Sequence, residues 1–302
     1  MAVELYLRIA AILIGGFLLS VLFLSAWLAY AITHPKRRMP GEELKLLEGL
    51  RSRTVEFRSL DQKRLQGLLL EGPAGDPRAI VLCHGIGAYK ENLLGMGRLL
   101  NLAGYTVLLF DFRGHGLSEG DSVSVGPKEA QDVRGAVRFL QGQGFRRFGI
   151  FGLSMGAAAA AYAGPEIQHL EGMVLDSCPA SLERIMLHLR KRHRVMSRLG
   201  GRLALWFIGR FSGVPARSVR PIDQMDRLQS PLLFIHGDQD RLIDPGDLEL
   251  LYERAREPKE KLLIAGAGHG ETFRKGGEAY REAVLRFFAK HLPPTEPVPA
   301  ND

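Results

Sequence analysis

Cysteine is nearly absent from this chain: two thiols, Cys83 and Cys178, occur in 302 residues. Neither C-x-x-C nor metal-ligand spacing accompanies them, which excludes a disulfide framework and a structural zinc site. Two buried thiols near the ends of core strands are expected instead. No G-x-G-x-x-G stretch and no P-loop lysine are present, so Gly114-His115-Gly116 is not a phosphate loop. No carboxylate pair and no His/Cys cluster suggests a metal, and no cofactor is expected. No internal repeat is found. Acid is the scarcer charge, with 33 Asp and Glu against 40 Lys and Arg, giving a formal net charge of +7. That excess points to an anionic partner, either nucleic acid or a membrane. Aromatics are only 8%, but an apolar fraction of 46% supplies a core and excludes bulk disorder. The length suits one large α/β domain with additions, or two small domains.

Charge is also missing locally. From Ile9 to Ile32 no charged residue occurs, and a helix needs roughly 20 apolar residues to cross the hydrocarbon core. Trp27 and Tyr30 sit near one end, where interfacial aromatics belong. Ala29-Tyr30-Ala31 matches a signal-peptidase site, but the run is long for an h-region and the n-region carries little positive charge. The expectation is a retained anchor over residues 1–34. Lys36, Arg37, Arg38, Lys45, Arg51 and Arg53 follow it, against Arg8 beside Glu4 before it, which biases the following domain to the cytoplasmic face. Residues 35–53 read as a linker, broken by Pro35, Pro40 and Gly41, with a short amphipathic turn in Glu42 to Leu50.

Beyond the linker, strands and helices alternate. Thr54 to Phe57 and Leu65 to Leu70 read as an antiparallel opening pair. Further strands are expected at Ala79 to Cys83, Thr106 to Phe110, Phe148 to Phe151, Gly172 to Leu175, Pro231 to Ile235 and Lys261 to Ile264. Helical stretches fall at Glu91 to Ala103, Lys128 to Leu140, Asp247 to Arg256 and Glu278 to His291. This alternation implies an α/β fold with a mostly parallel sheet covered on both faces. Residues 293–302 are proline-rich and read as a frayed tail.

Gly152-Leu153-Ser154-Met155-Gly156 stands where a buried strand meets the helix formers Ala157 to Ala161. A strand that turns straight into a helix reverses tightly at the serine, and a Cβ at either flanking glycine would collide with neighbouring backbone. The result is a nucleophile elbow, with the Ser154 hydroxyl held clear at the helix N-terminus. A serine hydroxyl at neutral pH needs a base within reach and a third group to fix that base. Such groups gather beyond the carboxyl ends of parallel strands. Two strand ends carry them: His236-Gly237-Asp238-Gln239-Asp240 and Gly268-His269-Gly270.

With Cys83-His84-Gly85-Ile86-Gly87 and Asp111-Phe112-Arg113-Gly114-His115-Gly116-Leu117-Ser118, these stretches resemble the α/β-hydrolase fold superfamily, in particular its esterase, monoacylglycerol-lipase-like and serine-aminopeptidase-like members. The resemblance covers Ala79 to about His291 and leaves out the apolar N-terminal run. It implies Ser154 as nucleophile, His269 as general base and Asp240 as the acid that orients His269. The oxyanion hole would be the backbone N–H groups of Met155 and Ile86. Asp238 and Asp176 remain rival acids, the first more suited to bracing its turn. His84, His115 and His236 lie in turns where imidazoles hydrogen-bond backbone, and Asp111 with Arg113 reads as a turn brace. His188 and His193 lie in a basic stretch and are expected to be solvated.

The hydrolase domain would run over residues 54–292, with a helical lid insertion at about 179–225. That insertion interleaves Arg190, Lys191, Arg192, Arg194, Arg198, Arg202, Arg210, Arg217 and Arg220 with Leu189, Val195, Leu199, Leu205, Trp206, Phe207 and Phe211. Two readings stay open: a helix resting on anionic lipid, or a cap whose arginines are solvated. The expected function is a membrane-anchored serine hydrolase cleaving small carboxylic esters. A peptidase, amidase or thioesterase with the same triad is the alternative within enzymes. A catalytically idle, membrane-tethered scaffold is the alternative outside them. Nucleic-acid binding has no recognised fold behind it and is not expected.

Overall fold

Alternate apolar positions in the short strands face opposite helical layers, and this divides the core into two. The computed structural model describes residues 2–38, 42–193 and 197–294. Pro40, Gly41, Arg194 and Val195, and the tail from residue 295, lie outside the described residues. Eight strands form one sheet: β1 (Ser52–Arg58), β2 (Arg64–Leu70), β3 (Arg78–Cys83), β4 (Thr106–Phe110), β5 (Arg147–Leu153), β6 (Leu170–Asp176), β7 (Leu232–Gly237) and β8 (Lys259–Ile264). Their spatial order is β1-β2-β4-β3-β5-β6-β7-β8. β1 pairs antiparallel with β2, with Thr54 opposite Leu68, and β2 pairs antiparallel with β4. Every later pairing is parallel.

β3, β4 and β7 are buried along their whole length, as strands between two helical layers must be. β8 lies at the edge and is partly exposed along most of its length. In β3, Ala79, Val81 and Cys83 pack with α3 (Glu129–Gly142), α4 (Met155–Ala163) and α7 (Gly246–Arg254). The intervening Ile80 and Leu82 pack with α2 (Leu94–Leu102) and α8 (Thr272–His291). Cys83 and Cys178 are free, buried thiols. Burial pushes both well above their ordinary range, so neither offers a thiolate.

Before the sheet stands α1 (Ala2–Thr33), the one helix among the described residues long and apolar enough to cross a membrane. The sequence places the whole of this segment outside the hydrolase domain; the structure divides it. Val3 to Leu24 is largely exposed, but Ser25, Ala29 and Thr33 are buried. The partner of Ser25 and Ala29 is α6 (Arg198–Ser212), the second helix of the insertion, which follows α5 (Leu182–His193). The Ser25 hydroxyl donates to the Gly200 carbonyl at 3.1 Å. Ala29 shares an apolar cluster with Ile208, Ala216 and Val219. Tyr30 stacks on His34 with ring centroids 4.2 Å apart, and both meet Phe211 edge-on. Small residues four apart on α1 let the two helices approach this closely. Beyond the helix end, the Val123 N–H donates to the Thr33 carbonyl at 2.8 Å. Arg37 donates to the carbonyls of Gly116, Ser118 and Gly120. The chain therefore leaves α1 already fastened to the domain.

Candidate active site

Ser154 sits between β5 and α4 with φ 55° and ψ −115°, a backbone conformation that L-residues rarely adopt. Two things hold it there. Its N–H donates to the Asp176 carbonyl at 2.8 Å, and its glycine neighbours admit no side chain. A Cβ on Gly152 would lie 2.6 Å from the Ala157 Cα. One on Gly156 would sit inside the Cys83 and His84 carbonyls. The elbow glycines are thus steric requirements of a strand turning into a helix beside β3.

Three strand ends converge on this turn. His269, in the loop after β8, has its Nε2 3.0 Å from the Ser154 Oγ. Its Nδ1 lies 2.7 Å from Oδ2 of Asp240, in the loop after β7. The other Asp240 oxygen accepts the N–H groups of Leu242 at 2.8 Å and Ile243 at 3.0 Å. Burial by itself raises the Asp240 carboxyl. The adjacent His236 and His269 imidazoles and the Ile243 N–H outweigh it and hold the group well below the usual carboxylate range. An ionised Asp240 fixes the imidazole with its proton on Nδ1, leaving Nε2 to accept from serine.

The N–H groups of Met155 and Ile86 have no hydrogen-bond partner among the described residues. Met155 opens α4, so its N–H has none within the helix either. Ile86 lies in the loop after β3, which two histidines shape. His84 places Nδ1 2.7 Å from the Gly85 carbonyl and accepts the Phe112 N–H on Nε2. His115 accepts the Gly87 N–H at 2.9 Å. Burial, reinforced by the neighbouring His115, lowers His84 to about 3, so it stays neutral and keeps both bonds.

Residues 75–213 match the serine aminopeptidase S33 family of hydrolases. The Bacillus subtilis protein YqkD is 32% identical over 220 residues, covering 71% of this chain and 72% of its own. The chain belongs to the α/β-hydrolase family. A Bacillus subtilis carboxylesterase is 21% identical over 232 residues, 72% of this chain and 94% of that one. Among solved structures, the Pyrococcus furiosus esterase Pf2001 superposes with a TM-score of 0.73 at 26% identity, over 86% of this chain and 98% of its own.

In this α/β-hydrolase fold the rival acids Asp238 and Asp176 point elsewhere. Asp238 accepts the Gly266 N–H at 2.7 Å and braces the turn after β8. Asp176 is buried at the end of β6, where its carboxylate accepts three hydroxyls: Thr272 at 2.6 Å, Tyr280 at 2.7 Å and Ser177 at 2.8 Å. Burial raises its pKa, and those donors pull it partly back. It ties β6 to α8. Asp111 accepts the Lys90 ammonium at 2.9 Å and the Leu117 N–H at 3.1 Å, while Arg113 pairs with Asp132 and Asp61 at 2.7 and 2.6 Å. Both are turn braces.

Two expectations need correction. His236 does not bond backbone like the other turn histidines. It is 1% exposed, and its Nε2 stands 3.3 Å from the Asp240 Oδ2 without a well-directed hydrogen bond. The strand-end position of His236 was legible, but its direction depends on the pleat of β7 against the turn. His188 is not solvated either; it is half-buried with Nδ1 3.7 Å from Asp244. The His193 side chain lies outside what is described.

A cavity of about 610 Å³ opens beside His269, lined by Gln239, Arg241 and Leu242 and by Leu189 from α5. The first insertion helix thus reaches the rim of the catalytic turn. It is anchored to the domain by Arg184, which pairs with the buried Asp247 on α7.

Proposed function

We propose that this α/β-hydrolase is a membrane-anchored serine hydrolase that cleaves small carboxylic esters through an acyl-enzyme on Ser154. The observation that carries the reading is the continuous relay from Ser154 Oγ to His269 Nε2 and from His269 Nδ1 to Asp240. In this scheme the serine oxygen attacks the ester carbonyl while His269 takes its proton. The resulting oxyanion is held by the Ile86 and Met155 N–H groups. Collapse expels the alcohol, which receives the proton from His269. Water then attacks the acyl-enzyme by the same route, regenerating Ser154 and releasing the acid. The esterase and carboxylesterase relatives support ester substrates. Membership of a family described as serine aminopeptidases favours an amide or peptide as the second reading.

A fluorophosphonate probe tests the chemistry. Wild-type protein is expected to label rapidly on Ser154, and Ser154→Ala and His269→Ala to lose labelling. Folded wild-type protein that stays unlabelled overturns the hydrolase in favour of a tethered scaffold. A panel of matched ester, thioester and amide substrates then separates the bond types, with esters expected to turn over fastest.

The burial of Ser25, Ala29 and Thr33 against the domain supports a retained helix, because cleavage after Ala31 would carry Ser25 and Ala29 away from α6. We place the domain on the cytoplasmic face, from the Lys and Arg excess that follows α1. Arg8 on the other flank is paired with Glu4 at 2.8 Å. Protease added outside intact cells is expected to leave the domain whole and to digest it after permeabilisation. Digestion in intact cells reverses the orientation.

A further inference from the structure

The two insertion helices carry a built groove that the catalytic scheme does not use. It encloses about 410 Å³ between α5 and α6. Met186, Leu187 and Leu205 line it, Arg190, Arg198 and Arg202 stand along it, and its one carboxylate, Glu183, is paired with Arg217 at 3.3 Å. None of these three guanidiniums has a hydrogen bond or an ion pair among the described residues. Of the other insertion arginines, Arg184 pairs with Asp247, Arg217 with Glu183 and Arg220 with Asp223, while Arg210 has no such partner among the described residues. Three unpaired guanidiniums beside an apolar lining match an amphiphile with an anionic head.

The position of the groove says where that amphiphile would come from. α1 and α6 run in the same direction, since Ser25 meets Gly200 and, farther along both helices, Tyr30 meets Phe211. The start of α6 is therefore level with Ser25. On the other side of that level, Val3 to Leu24 is exposed helix that carries Glu4 and Arg8 and is uncharged from Ile9 onward. At 1.5 Å per residue the uncharged part is roughly 24 Å long, against about 30 Å for a hydrocarbon core, so the span would reach about one turn past Ser25. On the membrane-anchored reading the boundary falls within about one turn of Gly200. Arg202 then lies within about one turn of that boundary and Arg198 within about two, with Arg190 across the groove from them. From there a guanidinium extended toward the interface reaches lipid phosphates.

Building on the membrane-anchored reading, we infer that the α5–α6 groove binds the phosphate of an anionic glycerophospholipid, with an acyl chain lying along Met186, Leu187 and Leu205. The arginines supply bidentate donors to the phosphodiester. A lipid whose headgroup also carries an ammonium offers them less net charge. The bound lipid seats the insertion at a fixed height on the bilayer, while Leu189 of the same α5 reaches the cavity beside His269.

The test uses the full chain in neutral detergent. It contains two tryptophans, so Trp27→Phe leaves Trp206, which adjoins Arg202 and Leu205, as the fluorescent reporter. Dihexanoyl-phosphatidylglycerol is titrated against dihexanoyl-phosphatidylcholine and inorganic phosphate. Phosphatidylglycerol is expected to bind more tightly than phosphatidylcholine, with inorganic phosphate failing to displace it at equal concentration. Arg190→Gln, Arg198→Gln and Arg202→Gln together are expected to weaken phosphatidylglycerol about a hundredfold. Fluorophosphonate labelling and turnover of a small soluble ester should not change. Equal affinity for the two lipids, or an unaffected triple variant, overturns the inference. Displacement by inorganic phosphate overturns it too, and leaves a free-anion site. Extraction of the full chain from membranes by alkaline carbonate would instead remove the anchor reading, and a labelling failure the hydrolase reading. Each is read separately from the lipid titration.

Discussion

Asp240→Asn is expected to lower turnover of a small soluble ester by a factor on the order of 10⁴ while leaving the fold intact. The reason is the asymmetry of the carboxylate. One oxygen accepts two backbone N–H groups, from Leu242 and Ile243, and only an oxygen can serve there. The asparagine NH₂ must then occupy the place of Oδ2, opposite the His269 Nδ1. An amide donor there forces the imidazole proton onto Nε2, which can no longer accept from Ser154. The same substitution at the rival acids has a different expected result. Asp238→Asn keeps an oxygen for the Gly266 N–H and should stay within a few-fold of wild type. Asp176→Asn disturbs three hydroxyl donors between β6 and α8. It should therefore lower the melting temperature more than the rate constant. Steady-state kinetics with a water-soluble ester and a thermal melt on each variant read out the set. If Asp240→Asn keeps its activity and either other variant loses it, the acid has been misassigned.

The second large effect is expected from where the N-terminus is cut. Deleting residues 1–20 leaves Ser25 and Ala29 on α6 and Thr33 on the Val123 N–H, and should give a stable domain that labels with fluorophosphonate. Deleting residues 1–33 uncovers the face of α6 that carries Ile208, Phe207 and Phe211. It also removes the acceptor of the Val123 N–H. Exposing even one or two such side chains costs about 1.5–3 kcal/mol each. That is a large share of a domain stability of about 5–15 kcal/mol. The shorter protein should aggregate or melt many degrees lower in detergent. Identical melting curves for the two truncations would show that α1 contributes nothing to the fold.

The placement of Ser154, Asp240 and His269 was legible because each follows a short apolar run and precedes a break, so sequence order alone puts them at strand ends. The glycines at 152 and 156 were legible for a similar local reason: only a missing Cβ lets a strand turn into a helix there. Family membership and sheet class followed from the same stretches. What could not be read was anything set by contact between distant segments. A run of Leu, Ala and Phe looks alike whether it faces lipid or protein, so the burial of Ser25 and Ala29 on α6 left only a faint four-residue spacing. The last helix begins at Thr272, six residues before the Glu278 expected from the sequence, and Gly277 leaves helical geometry, with φ 53°, inside it. His236 shares a turn setting with His84 and His115, which do brace backbone, but it faces Asp240 instead.

The bond between Ser25 and Gly200 also fixes an order of events during synthesis. These residues lie 175 positions apart, and a ribosome adds roughly 5–20 residues per second. The first helix therefore waits on the order of ten seconds or more before its packing partner exists. Its small polar face is suited to the delay. The Ser25 hydroxyl also bonds the Val21 carbonyl, and the Thr33 hydroxyl bonds the Ala29 carbonyl. Both are satisfied within the helix before α6 arrives. The docking of α6 onto a helix already in place is then a late step of assembly.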